Sequence, residues 1–150
     1  MKTSWTPISP SGFHSISQAD LWTYFVEPFD ERAQSKRIYL TRRLESYLAD
    51  LRRTGLQMEI WLDGSFTTRC VEPDDIDLVV VLSFREILGL TIEQQNVLNV
   101  LVNERERVRL RYECDVYYID RNNITEHDRW TRLFSTNHDG SEKGIFKLLL

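Results

Sequence analysis

The stretch Leu62-Asp63-Gly64-Ser65-Phe66-Thr67-Thr68-Arg69-Cys70-Val71-Glu72-Pro73-Asp74-Asp75-Ile76-Asp77-Leu78-Val79-Val80-Val81 decides the fold. Its first residues close a strand: Gln57 to Asp63 alternates Met58, Ile60 and Leu62 against Gln57, Glu59 and Trp61, and Gly64 ends the alternation. Its last residues open another. From Ile76 to Leu82 the chain is β-rich and, Asp77 aside, apolar, which suits a central strand covered on both faces. Between them lies a loop. Asp75 and Asp77 are two apart on an extended backbone, so both side chains emerge on one face while Ile76 and Leu78 point into core. Two carboxylates about 4 Å apart repel by roughly 4 kcal/mol at an effective dielectric near 20, so a fold that holds them together gains by binding a cation or a proton. Oxygen-only ligands select a hard cation such as magnesium, which accepts one or two protein carboxylates together with phosphate oxygens and water. Asp74 alternates away from the pair and is expected to face solvent or cap a turn.

Gly64-Ser65 permits a close backbone approach and begins a short helical turn whose free amides, with the Ser65 hydroxyl, can receive a phosphate. A further carboxylate, Asp115, lies between Cys114 and Val116 in a hydrophobic strand, where isolation would be costly. A place beside the Asp75/Asp77 pair on a neighbouring strand accounts for it. Arg69 in the spacer and Lys143 beside Gly144 are the basic side chains best placed to approach a triphosphate.

Outward from this stretch the periodicities change. Asp30 can cap a helix with Leu40, Leu44, Tyr47, Leu48 and Leu51 on one face and Gly55 as its stop. Its other face is strongly charged, which most often means a solvated surface. Thr91 and Gln94 form a capping-box pattern before a helix expected to run to about Arg107 or Arg109. Strand Glu113 to Ile119 follows, then a helix capped by Thr125, a turn over 137–140 and a last strand from Gly144 to Leu150. The order predicts an α+β fold, a mixed β-sheet with helices packed on it, in a single domain over residues 1–150. Residues 1–29 hold Pro7, Pro10 and Pro28 among many Ser and Thr, and predict an irregular arm whose aromatic residues pack it across the core.

Composition narrows the function. The net charge of −4 argues against a nucleic-acid coat protein, and the longest largely apolar run is far shorter than the roughly 18 residues of a membrane span. Without a signal-peptide pattern, a cytoplasmic location is expected and no membrane partner. Cys70 and Cys114 have no ligand-spaced neighbours and predict free thiols, with Cys70 exposed in the spacer and oxidisable. His14, His127 and His138 lack partners at triad spacing and read as surface histidines.

The Gly-Ser pair, a spacer of nine residues, Asp-Ile-Asp ahead of a hydrophobic strand and a later lone Asp in a strand resemble the active site of the nucleotidyltransferase superfamily, the polymerase-beta-like group. The resemblance covers about Gln57 to Ile119. It implies that Gly64 and Ser65 contact the phosphates, that Asp75, Asp77 and Asp115 ligate two magnesium ions, and that a nucleoside monophosphate passes from a triphosphate such as ATP to an acceptor hydroxyl, on protein or nucleic acid, with release of pyrophosphate. With only about 30 residues following that core, the acceptor site is expected to come from the N-terminal arm, a second copy or another protein. The alternative the resemblance implies is a binding protein: small stand-alone members often pair with a toxin as antitoxins, and the aromatic arm and charged first helix would form the surface.

Overall fold

The computed structural model describes residues 4–150. Its five strands form one mixed sheet in the order β1-β5-β2-β3-β4. The strands are β1 (Gly12–Ile16), β2 (Glu59–Asp63), β3 (Ile76–Leu82), β4 (Cys114–Asp120) and β5 (Gly144–Leu149). β3 runs parallel to β4 and antiparallel to β2, β2 is antiparallel to β5, and β5 is parallel to β1. Among the described residues six α-helices accompany them: α1 (Asp20–Phe25), α2 (Glu31–Arg52), α3 (Phe84–Ile87), α4 (Ile92–Asn103), α5 (Arg105–Tyr112) and α6 (Ile124–Phe134). The fold is α+β with a mixed sheet, as the alternation of periods predicts.

Strand alternation sorts the core into two layers. Ile60, Leu62, Leu78, Val80 and Val116 pack against the apolar stripe of α2, including Leu44, Tyr47, Leu48 and Leu51. Trp61, Val79, Val81 and Ile119 point to the opposite face, where Phe134 and Trp130 of α6 cover them. Central strand β3 is therefore buried on both sides, and every residue of it except Asp77 is closed to solvent. α2 begins where the Asp30 carboxylate accepts the Ala33 amide, and α4 where Thr91 and Gln94 complete a capping box.

Four expectations are corrected. The N-terminal arm is not wholly irregular: residues 12–16 add a parallel strand to β5, and α1 follows, with Leu21 and Phe25 fully buried. The gain of a sheet ladder and two buried apolar side chains outweighs the local turn chemistry of Ser and Pro. The helix from Thr91 does not reach Arg109 unbroken, because Glu104 leaves helical geometry (φ −90°, ψ 69°) and α5 starts afresh at Arg105. The last helix is capped by Asn123, whose side chain accepts the Glu126 amide, while Thr125 lies inside it. Cys70, expected to be exposed, is buried.

Candidate active site

The antiparallel register sets Asp63 of β2 opposite Asp77 of β3, and the parallel register sets Asp77 opposite Asp115 of β4. Directly paired residues share a face with Cβ atoms about 5 Å apart, so three carboxylates stand in a row across adjacent strands. Asp75, two residues before Asp77, adds a fourth on the same side. The row lies on the α6 face, where it opens into a cleft of about 900 Å³ lined by Asp63, Gly64, Asp75, Asp77, Asp115 and Lys143, among others. A second hollow of about 390 Å³ continues past Gly64 to Ser65 and Thr68. Together they are of the size that holds a small organic ligand.

Gly64 joins the two hollows. Its φ of +81° suits a residue without a side chain, and a Cβ built on it would meet Asp77 Oδ2 at 2.6 Å. Ser65–Thr67 then forms a single 3₁₀ turn, and at its start the first amides have no acceptor within the turn. The following loop is held from beneath by Arg37. This fully buried guanidinium donates to the carbonyls of Phe66 (2.8 Å), Thr68 (2.8 Å), Cys70 (2.6 Å) and Phe25 (3.2 Å), and stacks 3.6 Å from the ring of Phe29. Burial lowers its pKa to about 10, so it remains charged.

The acids have cationic neighbours that the sequence reading passed over. Asp115 Oδ1 accepts from Arg105 at 2.7 Å, and its Oδ2 faces Arg109 at 2.9 Å and the Tyr117 hydroxyl at 3.4 Å. Arg109 also stands 4.0 Å from Asp75. Burial raises the Asp75 pKa, a shift that Arg109 opposes and that Asp115, Asp74 and Glu113 reinforce. Asp63 and Lys143 form a buried pair at 2.9 Å, held by charge with poor alignment for a hydrogen bond. Burial still raises the Asp63 pKa to about 7, against the pull of Lys143.

Of the predicted residues, Gly64, Ser65, Asp75, Asp77, Asp115 and Lys143 line this continuous cleft. Arg69 does not: its side chain is exposed outside both hollows, and its backbone amide bonds Thr6. Lys143 reaches the site committed to Asp63, as a fixed positive charge in the wall. Arg105 and Arg109 occupy positions i and i+4 on α5, a spacing visible in Arg105-Glu106-Arg107-Val108-Arg109, but only the register of β4 shows which acid they meet.

Among the described residues no ready-made group of three His, Cys, Asp or Glu side chains has metal-holding geometry. The donor chemistry is nevertheless of the kind a hard divalent cation takes, carboxylate oxygens lining an open cleft beside a glycine whose missing side chain makes room for the Asp77 carboxylate. An ionised carboxylate offers about four lone-pair positions, so the two arginines on Asp115 do not exhaust it. No helix among the described residues is long and apolar enough to cross a membrane. Comparison with known proteins finds a match over residues 2–149 to the family described as "Family of unknown function (DUF6932)". No curated protein and no solved structure matches the chain.

Proposed function

The chain belongs to the DUF6932 family, and from the chemistry of its cleft we propose that it is a magnesium-dependent nucleotidyltransferase of the cytoplasm. The observation that carries this reading is the register row Asp63, Asp77 and Asp115 with Asp75 alongside, next to the Gly64-Ser65 turn. Magnesium held by Asp75 and Asp77, with Asp115 as third carboxylate, would neutralise a bound triphosphate and polarise its α-phosphorus.

The remaining work falls to the chain. The amides and hydroxyl of the Gly64-Ser65 turn hold phosphate oxygens, and the missing side chain at Gly64 lets them approach Asp77. Lys143 and Arg109 add positive charge in the cleft wall, which offsets the negative charge of the departing pyrophosphate. Asp115, fixed by Arg105, Arg109 and Tyr117, orients the acceptor hydroxyl and its carboxylate takes up the hydroxyl proton as the oxygen attacks the α-phosphorus. The bond formed joins acceptor oxygen to α-phosphorus; the bond broken joins that phosphorus to the oxygen of pyrophosphate.

One observation favours a second reading. Both oxygens of Asp115 are engaged by arginines, an arrangement that also suits a protein of this architecture acting as a binding partner, such as an antitoxin for a toxin. The test is incubation with magnesium and triphosphates labelled at the α-phosphate, alone and with candidate acceptors. Label transfer and pyrophosphate release that vanish in Asp75→Asn and Asp77→Asn support the enzyme. A stoichiometric protein complex untouched by those substitutions, with no label transferred, supports the second reading instead.

A further inference from the structure

The net charge of −4 conceals a strong segregation. Helices α2 and α5, with Arg53, carry eleven Lys and Arg against four Asp and Glu, a balance of +7, so the rest of the chain carries −11. Of those eleven only Arg37 is buried. The two helices adjoin: Arg43 of α2 donates to the Arg111 carbonyl at the end of α5 at 3.0 Å. Arg53, Arg107 and Arg111 surround one hollow between α2, α4 and α5. Around that hollow Arg53 pairs with the half-buried Asp50 at 3.7 Å and Arg107 with the exposed Glu104 at 3.4 Å; both arginines are themselves exposed, and such pairs bind their partners weakly.

The basic tract is continuous with the cleft. Arg105 and Arg109 bring it to Asp115, and on the other side the Tyr39 hydroxyl donates to Glu113, the residue just before β4. Tyr39 is exposed between two cations, Lys36 at 5.6 Å and Arg43 at 5.2 Å from its ring. A phosphodiester strand asks for such a surface: positive charges along its backbone and an aromatic face between them on which a base can stack. An acidic polypeptide would use the charges but leave the ring without a planar partner.

We infer that the α2–α5 face binds single-stranded RNA and leads it into the cleft as the acceptor. The acceptor role and the choice of RNA over DNA rest on the proposed transferase activity; the surface for a phosphodiester strand does not. RNA is the strand chosen because the reaction needs an acceptor hydroxyl, and RNA carries one at every nucleotide.

The test is fluorescence anisotropy with a labelled RNA 20-mer at 50 and 200 mM salt, using the whole chain. Affinity should fall steeply with salt, and Arg42→Glu combined with Arg111→Glu should weaken binding at least tenfold with a shallower salt slope. Tyr39→Ala should weaken it about tenfold at constant slope, because stacking is lost and no charge is removed. Arg85→Glu, outside the tract, should bind like the wild type. No binding at 50 mM salt, or equal losses from Arg85→Glu and the tract variant, overturns the inference. Tighter binding of DNA of the same sequence, or equal binding of polyglutamate with Tyr39→Ala silent, overturns the choice of RNA. Asp77→Asn separates the two claims: RNA bound by both proteins, with no magnesium-triphosphate response in either, sinks the transferase reading and leaves the surface standing.

Discussion

The Asp77 carboxylate lies directly over the Cα of Gly64, so that a methyl group placed there would come within 2.6 Å of Oδ2. These residues are thirteen apart in the chain but belong to neighbouring strands, since Asp63, the residue before Gly64, pairs with Asp77. The closeness joins the turn proposed to hold phosphate to the acid proposed to hold a cation. It also explains why the turn needs glycine, beyond the left-handed φ of +81°.

Gly64→Ala should therefore fail twice. Backbone strain and the displaced carboxylate should cost about 1–3 kcal/mol, read as a lower urea midpoint at unchanged slope. The variant should also lose any stabilisation by magnesium and triphosphate. A protein as stable and as responsive as the wild type would show that the contact has no role.

Asp63 gives a pH dependence with a definite sign. Its folded pKa is raised to about 7, above the unfolded aspartate near 4, so the native state binds this proton more tightly. Its contribution is complete below pH 4 and is lost as pH rises to about 7, a decline of at most roughly 4 kcal/mol. The difference in unfolding free energy between wild type and Asp63→Asn, taken at pH 4, 5.5, 7 and 8, should fall across the first three and then level off. A difference that stays flat, or rises, contradicts burial as the dominant influence on Asp63.

Arg37→Met should be severely destabilising. It leaves four buried carbonyls without their donor, and each unmet group costs about 1–3 kcal/mol. Arg37→Lys should not rescue it, because an ammonium has three donors and no planar fork. Loss of at least about 4 kcal/mol in both variants is expected from chemical denaturation; a lysine variant within 1 kcal/mol of wild type would refute the account of the loop.

Arg105→Gln removes a cation 2.7 Å from Asp115 while Arg109 keeps the carboxylate in place. Manganese, followed by its electron-spin resonance, should bind the variant several-fold more tightly. Weaker or unchanged binding would place the cation away from Asp115.

Much of this was legible in the sequence, for local reasons. The Asp30 cap, the Thr91–Gln94 box and the bounds of β3 depend on neighbours along the chain, and the structure keeps them. The position of Asp115 beside the pair followed from the cost of isolating a carboxylate in a strand. What was hidden depends on distant partners. Residues 12–16 form a strand because β5 offers an edge 132 residues later. Arg105 and Arg109 look like an ordinary charged helix face until α5 breaks from α4 at Glu104 and turns them to Asp115. Lys143, beside Gly144, looks free to reach for phosphate until the fold sets it 2.9 Å from Asp63, a partner distant in the sequence.

The central claim is that Asp77 and its neighbours hold a cation that helps bind a triphosphate beside Gly64, and thermal unfolding tests it most directly. With magnesium and triphosphate together at about a hundred times Kd, the wild type should gain about 2.7 kcal/mol, a rise of roughly 5–10 °C in Tm. Asp77→Asn, folded and otherwise similar, should gain none. The same rise in both proteins, or none in the wild type at millimolar ligand, would contradict the account.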